Sequence, residues 1–219
     1  MRKKLLVRET AMLLMISIVY TLCIKMIDVS PVGPQNTKVG FSTINHFISM
    51  KIGYHETFYL ISKILGMIPF VFILFYALIG LKQMIRKRSL LKVDNEILLL
   101  GLFYILVGLV YVFFEHVVIN YRPIMFDGIL EASYPSSHTM LALTIGLSSI
   151  IVNKKYITNS KVCDIINDIC WVTMVLLVLT RTLSGVHWIT DIIGGIIISL
   201  LLVSFYRLGL ECMKRRKSR

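Results

Sequence analysis

The sequence predicts an all-α, polytopic membrane protein in which six transmembrane helices form one bundle. Hydrophobic residues make up 56% of the 219 residues, above the proportion of about 45–50% that is typical of soluble domains. The mean hydropathy is +0.77. Apolar stretches that approach the length needed to cross a bilayer core, about 20 helical residues for about 30 Å, recur along the chain.

Six apolar stretches are predicted to span the membrane. The fourth and fifth are the shortest and the most polar. The second contains Lys63 and Pro69, so we expect a snorkelling lysine and a kink within it. The predicted spans are residues 10–29, 58–81, 97–116, 138–153, 166–182 and 189–207.

The net charge of +12 is arranged as in a membrane protein. Nucleic-acid-binding proteins gather Lys and Arg on one face of a polar fold, whereas here the basic residues lie between apolar stretches, so no nucleic-acid partner is predicted. Six spans place most of the 24 Lys and Arg residues on one side, in segments 1–8, 82–96, 154–161 and 207–219. The positive-inside rule then predicts that both termini are cytoplasmic.

The chain is predicted to form a single membrane domain over residues 1–219. The first span is expected to be retained, because no small-residue cleavage site follows it. Residues 41–52 have the spacing of an amphipathic helix, which would serve as an interfacial helix, a lid or simple packing. The basic tail, residues 208–219, is expected to contact anionic membrane lipid.

The predicted outer segments contain three polar clusters, which the topology places at one membrane face. The first is Arg122 with Pro123. The second, residues 134–138, combines Pro, two Ser and a His at the start of a span. A helix N-terminus of this type has free N–H groups that bind phosphate, with His138 beside them as a proton donor. A plain N-cap is the alternative for this segment.

The third cluster spans residues 180–191. His187 and Asp191 have i, i+4 spacing, which places them on one face of a helix. A carboxylate bound to one imidazole nitrogen leaves the other nitrogen free as a base or nucleophile, and Arg181 offers a planar set of donors for phosphate. The alternative is a snorkelling arginine beside an interfacial His–Asp pair. Together, the three clusters provide the groups that phosphoryl transfer requires.

These clusters resemble the motifs of the type 2 phosphatidic acid phosphatase family, the integral-membrane lipid phosphate phosphatases, and indicate a bacterial member. The family pattern is K-x6-RP, then PSGH, then SR-x5-H-x3-D. The chain has RP at 122–123, PSSH at 135–138 and TR at 180–181, followed by His187 and Asp191 at the family spacing. The resemblance covers about residues 57–209.

The resemblance implies a role for each motif residue. His187 would attack phosphorus and become a phosphohistidine, and Asp191 would orient it. His138 would protonate the leaving oxygen and then activate water. The phosphoryl oxygens would be held by cationic groups and by amides, namely Arg122, Arg181 and the main chain around Ser136 and Ser137. The resemblance implies no metal and no other cofactor.

The chain departs from the family pattern at three positions. Ser137 replaces a glycine and Thr180 replaces a serine, which are mild changes. Glu115 stands where the family has lysine, and a carboxylate at about 4 Å from a phosphate charge would repel it by about 4 kcal/mol at an effective dielectric of about 20. Glu115 would turn away, be protonated, pair with an arginine, or bind a cationic group. The adjacent His116 would replace part of the missing charge.

The expected function is that of a phosphatase in the cell membrane. It would act at the extracytoplasmic face on a lipid phosphate or diphosphate. Family-typical substrates are undecaprenyl diphosphate, phosphatidate and phosphatidylglycerol phosphate, and undecaprenyl diphosphate is favoured because it would present its head group on that face. One alternative is a phosphotransferase with the same covalent chemistry. Another is a non-catalytic lipid-phosphate binder or transport component, which Glu115 favours. The sequence does not predict the oligomeric state.

Overall fold

The computed structural model describes residues 2–217, with side chains as far as residue 214. Eight α-helices lie in this range, and no β-strand does. Two short 3-10 turns cover Pro34–Asn36 and Leu90–Lys92. The helices are α1 (Arg2–Met26), α2 (Ser42–Ile52), α3 (Glu56–Leu65), α4 (Ile68–Lys87), α5 (Asn95–His116), α6 (Ser137–Tyr156), α7 (Ser160–Leu183) and α8 (Ile189–Lys217).

The helices confirm the predicted fold class, an all-α membrane bundle. Five helical stretches in the described chain are long and apolar enough to cross a membrane: α1, α3 together with α4, α5, α7 and α8. The fourth predicted span corresponds to α6, which is too polar to meet that criterion. A polar sequence is tolerated in α6 because this helix packs against α4, α5, α7 and α8. Its surface therefore faces protein, and its buried polar residues include Thr139, Thr144, Ser148, Ser149 and Asn153.

Small and polar side chains make the contacts between α6 and its neighbours. Gly146 lies directly against the side chain of Met174 on α7. Asn153 donates from Nδ2 to Asn167 Oδ1 at 2.8 Å and accepts a hydrogen bond from the Tyr76 hydroxyl at 2.5 Å. Close approach through small residues and interhelical hydrogen bonds is how helices associate in a bilayer, where burial of apolar surface gives no driving force.

The second predicted span, residues 58–81, is two helices rather than one. α3 ends at Leu65, and α4 begins at Ile68 with Pro69 in its first turn. Proline is tolerated there because the first-turn N–H groups have no intrahelical acceptor. The predicted kink thus interrupts the helix at Gly66 and Met67, whose backbone angles stay in the right-handed helical region. It brings Gly66 against the imidazole of His138, where a larger residue would meet the ring.

The basic segments lie together at one end of the bundle. Arg207 on α8 donates to Glu9 on α1 at 2.7 Å, and Lys155 lies 3.1 Å from Asp94 Oδ2. Gly209 packs on Leu99, so the end of α8 also meets the start of α5. The described start of α1 and the described end of α8 therefore lie at the same end of the bundle.

The predicted amphipathic segment, residues 41–52, forms α2. Its buried face is polar: Asn45 is fully buried and donates to Gly40 O at 2.7 Å and to Thr190 Oγ1 at 2.9 Å. Its apolar side chains point outward, and Phe47 is 61% exposed. Asp28 accepts from the Thr43 amide and the Ser42 hydroxyl at the start of α2, and these bonds lower the pKa of its carboxyl. These contacts show that α2 packs on α8. The outward apolar side chains are consistent with a helix at the membrane interface, which stays a prediction.

Replacing Asn45 by Ala is expected to reduce the free energy of unfolding by about 1–3 kcal/mol, because the buried main chain of Gly40 and Thr190 loses its partner. Thermal unfolding of the detergent-solubilised protein measures the effect. The neighbouring and exposed His46 provides the control, since His46→Ala removes no buried contact. Equal unfolding temperatures for the two variants would contradict the docking role of Asn45.

Candidate active site

The three sequence clusters meet at the end of the bundle opposite the termini. His138 lies in the first turn of α6, Arg181 in the last turn of α7, and His187 in the loop between α7 and α8. Arg122 belongs to the loop that joins α5 to α6. The charges of Arg181, Arg122 and His138 all act on His187, so the structure brings these predicted residues together.

His187 is held in a buried position with one free ring nitrogen. Its side chain has 6% exposure, and Nδ1 lies 3.0 Å from Ser133 Oγ. Nε2 is buried and has no hydrogen-bond partner among the described residues. Burial lowers the pKa of His187 well below its ordinary value, and the nearby charges of Arg181, Arg122 and His138 lower it further. The imidazole is therefore neutral at physiological pH, as a nitrogen nucleophile must be.

Ser133 connects His187 to Asp191. Its hydroxyl donates to Asp191 Oδ2 at 2.5 Å, so its oxygen is an acceptor for the Nδ1–H of His187. This direction of hydrogen bonding assigns the ring proton to Nδ1 and leaves the lone pair on Nε2. The three side chains are buried, and in such surroundings a hydrogen-bonded chain is stronger than in water.

The predicted placement of His187 and Asp191 on one helix face is wrong. α8 begins at Ile189, so His187 precedes the helix and Asp191 lies in its first turn. A carboxylate in a first turn satisfies free N–H donors, and Asp191 accepts from the Trp188 amide at 3.1 Å. Its other oxygen accepts from Asn120 Nδ2 at 3.2 Å. Asp191 therefore reaches His187 through Ser133, and no direct ion pair joins them within the described chain.

Sequence analysis missed Ser133, Asn120 and the structural role of Trp188. The indole N–H of Trp188 donates to Tyr121 O at 2.7 Å, which ties the loop after α7 to the loop after α5. Ser133 stands three residues before Ser136, and its proximity to the second motif is the one signal that the sequence offered. Its contact with His187 arises only when the two loops fold together.

A short hairpin positions Arg122. Tyr121 pairs with Ala132, and the Arg122 amide donates to Glu131 O at 3.1 Å. Asp127 and Gly128 form the tip with φ angles of 50° and 74°, as a tight hairpin turn requires. Arg122 Nε lies 3.2 Å from Glu131 Oε2, an ion pair by distance, although this N–H makes no well-aligned hydrogen bond to any described residue.

Arg181 is a buried cation without a counter-ion. Its side chain is 1% exposed, and NH1 donates to Ser62 Oγ at 3.1 Å. Nε has no partner, and no carboxylate lies within 4.0 Å in the part of the chain that the structure describes. Burial of an unpaired charge is costly, so this arrangement is suited to a bound anion.

The start of α6 differs from the prediction in one respect. The Ser136 amide donates to Asp191 O at 3.0 Å, so this amide is not available to a phosphate. The Ser136 hydroxyl does not cap the helix, and its oxygen is buried without a partner among residues 2–214. The plain N-cap is therefore absent from this segment. Ser137 begins the helix, and the N–H groups of the first turn have no intrahelical acceptor.

Glu115 and His116 take different directions at the end of α5. Glu115 is exposed and lines a small cavity that it shares with Ser133 and His187. Of the alternatives for Glu115, pairing with Arg122 or Arg181 is not found in the described range, since Arg122 pairs with Glu131 and Arg181 has no carboxylate partner there. His116 is exposed, and its Nδ1 bonds to Val112 O on its own helix at 2.9 Å, so it does not replace the missing lysine. No three His, Cys, Asp or Glu side chains within the described residues form a metal-ligating cluster.

The family model of the PAP2 superfamily matches residues 66–211, a range that includes all three motifs. The chain belongs to the PAP2 superfamily. A similar fold is found in the crystal structure of a transmembrane PAP2-type phosphatidylglycerolphosphate phosphatase from Bacillus subtilis, with a TM-score of 0.67 and 19% identity over 94% of this chain and 98% of that chain. At 19% identity, this similarity shows a shared fold alone. No curated protein sequence matches the chain.

His187 is expected to remain neutral at pH values well below the ordinary histidine pKa of about 6.5, because burial and three neighbouring groups oppose its protonation. NMR titration of the histidine-labelled protein measures this, with His187→Asn to identify the resonance. Arg181→Gln removes one of the opposing positive charges and is expected to raise the pKa of His187. Titration of the wild-type residue near pH 6.5 would contradict this account.

Proposed function

We propose that this PAP2 protein is an integral-membrane phosphatase that hydrolyses lipid phosphates through a phosphohistidine intermediate. One observation supports this proposal above the others: the unpartnered Nε2 of a buried, neutral His187 lies in the same site as the unpaired guanidinium of Arg181. A nucleophile beside a cationic group that has no carboxylate partner is the combination that phosphoryl transfer uses.

In the first step, His187 Nε2 attacks phosphorus and forms an N–P bond while the P–O bond to the lipid breaks. The leaving oxygen takes a proton from His138. A phosphate bound between Arg122 and Arg181 adds negative charge beside His138, which favours its protonated form. Positive charge that develops on the His187 ring is stabilised through the Nδ1–H to Ser133 and Asp191.

In the second step, water attacks the phosphorus of the phosphohistidine. His138, which is neutral after the first step, accepts a proton from that water, the N–P bond breaks, and inorganic phosphate leaves. His187 returns to its starting state with the proton still on Nδ1. Every proton in this sequence has a donor and an acceptor among the residues of the site and the attacking water.

An apolar cavity beside the site favours a lipid substrate. It has a volume of about 410 Å³ and lies between α4, α5 and α6, with walls that include Phe70, Val107 and Leu141. His138 lies at its outer end and Ile145 deeper in the membrane, about 10 Å apart along α6. A hydrocarbon chain in this cavity would place its phosphate next to His138.

We propose that the termini are cytoplasmic and the site extracytoplasmic, because the basic segments gather at the opposite end of the bundle. Phosphatidate, phosphatidylglycerol phosphate and undecaprenyl diphosphate all combine an apolar chain with a phosphate head group. The Bacillus subtilis structure of similar fold is described as a phosphatidylglycerolphosphate phosphatase, which favours glycerophospholipid phosphates. The preference for undecaprenyl diphosphate rests on the membrane side alone and stays a prediction.

His187→Asn is expected to abolish phosphate release from these lipid phosphates, since the amide cannot attack phosphorus. The measurement is phosphate release by purified protein in detergent. His46→Asn, in the exposed part of α2, provides the control and is expected to retain wild-type activity. Wild-type turnover by His187→Asn would remove the proposed nucleophile.

Ser133→Ala is expected to lower kcat by about 10- to 100-fold, the range found when a residue that orients a ligating or reacting histidine is lost. The KM is expected to change little, because Ser133 does not touch the lipid. Ser204→Ala is a matched control, since Ser204 is a buried serine that bonds only within α8. A loss that appeared mainly in KM, or no loss, would contradict the bridging role.

A further inference from the structure

The PAP2 motif places a lysine at the position of Glu115, and His116 does not replace it. We propose that Lys63, on α3, is the third phosphate-binding cation of this site and takes the place of the motif lysine. This inference rests on the proposed function, because it assigns a residue to the same phosphoryl site. Lys63 lies outside the range that the family model matches, so no motif singles it out.

One face of α3 forms a wall of the site. Tyr59, Ser62, Lys63 and Gly66 are spaced i, i+3, i+4 and i+7, which places them on one side of the helix and its end. Ser62 accepts a hydrogen bond from Arg181 at 3.1 Å. Gly66 lies against the ring of His138. This face of α3 and its C-terminal end therefore give the site four neighbouring positions that the three motifs do not include.

Two aromatic rings gather three cations on this wall. The Lys63 ammonium lies 5.3 Å from the centroid of the Tyr59 ring, and the Arg181 guanidinium carbon lies 5.5 Å from the same centroid. Tyr59 stacks on Phe126 at 5.1 Å, and the guanidinium of Arg122 lies 5.8 Å from the Phe126 ring. The faces of these rings attract cations, so one stacked pair of rings contacts all three positively charged groups.

The same three cations act electrostatically on the proposed general acid. Lys63, Arg122 and Arg181 are the basic residues whose charges act on His138. Among the described residues, Lys63 has no carboxylate within 4.0 Å, and Arg181 has none either. Three cations gathered beside one imidazole attract an anion strongly.

Glu115 and Lys63, the lysine proposed to replace the motif cation, lie on different helices of the site. Glu115 lies at the end of α5, beside Ser133 and His187, whereas Lys63 approaches from α3, beside His138. The site thus keeps the number of cations that the motif provides, with one of them moved from α5 to α3. Lysine acts on phosphate as a point charge at the end of a flexible chain, so the ammonium can move from the Tyr59 ring to a phosphoryl oxygen.

The first test compares Lys63→Met with Lys63→Arg and Lys51→Met. Lys51 is an exposed lysine at the end of α2 and is the matched control. With phosphatidate as substrate, Lys63→Met is expected to lower kcat/KM by about 10- to 100-fold and Lys63→Arg by only a few-fold, while Lys51→Met is unchanged. The inhibition constant of inorganic phosphate is expected to rise at least about tenfold in Lys63→Met. Unchanged values of both quantities would overturn the inference.

The second test moves the cation back to the motif position. The double variant Lys63→Met, Glu115→Lys is expected to recover activity and phosphate inhibition to within a few-fold of the wild type. A lysine on α5 cannot repair a packing defect on α3, so recovery separates phosphate binding from a structural role. A double variant that binds inorganic phosphate as weakly as Lys63→Met would contradict the inference.

The two proposals fail differently. Wild-type protein that releases phosphate from none of the lipid phosphates would remove the proposed function. Calorimetric titration with inorganic phosphate would still test Lys63 in that case, through the loss of binding in Lys63→Met. An active wild type together with unaltered Lys63→Met would overturn the inference about Lys63 alone.

Discussion

The carboxylate of Asp191 is the group that joins the segments of the candidate active site. Its two oxygens accept from Ser133, Asn120 and the Trp188 amide, and its main-chain carbonyl accepts from the Ser136 amide. These bonds join the α5–α6 loop, the start of α6 and the start of α8. The interactions that close the two loops are therefore the same ones that fix the tautomer of His187. In a buried setting, loss of the carboxylate would leave several donors unsatisfied at once.

The polar centre of the bundle determines where this site lies. α6 is surrounded by other helices, so its serines, threonines and Asn153 are acceptable in a membrane protein although they reduce its hydropathy. Its N-terminal end presents His138 at the end of the bundle opposite the basic segments, next to the apolar cavity between α4, α5 and α6. The break after α3 completes the site from the other side, where Gly66 allows close approach to the His138 ring. Helix packing thus brings an apolar cavity and cationic side chains to the same imidazole.

Much of the architecture could be predicted from the sequence, because spans and motif spacings are local properties. The apolar stretches gave the helices, and the order of the three motifs gave His138, Arg181 and His187 as neighbours. The relation of His187 to Asp191 could not be predicted, since it depends on α8 beginning at Ile189 rather than earlier. Spacing rules describe residues that share a helix and do not describe how loops close.

Contacts between distant segments account for the remaining differences. Ser133 and His187 are brought together by two separate loops, and no periodicity in the sequence connects them. Lys63 has the sequence features of a snorkelling lysine, and its i, i+4 spacing from Tyr59 places its ammonium over that ring. Only the packing of α3 on α7 brings Arg181 to the same ring. The sequence allowed Glu115 to pair with an arginine. In the structure, the hairpin places Arg122 beside Glu131 instead.

The most direct test of the account is to identify the atom that carries the phosphoryl group during turnover. The protein is mixed with a lipid phosphate, quenched at alkaline pH, at which a phosphohistidine survives, and analysed by mass spectrometry of its proteolytic fragments. The account predicts a phosphoryl adduct on the Nε2 of His187, which appears with substrate and disappears as phosphate is released. A phosphoryl adduct on another residue, or full turnover without any adduct on His187, would contradict it.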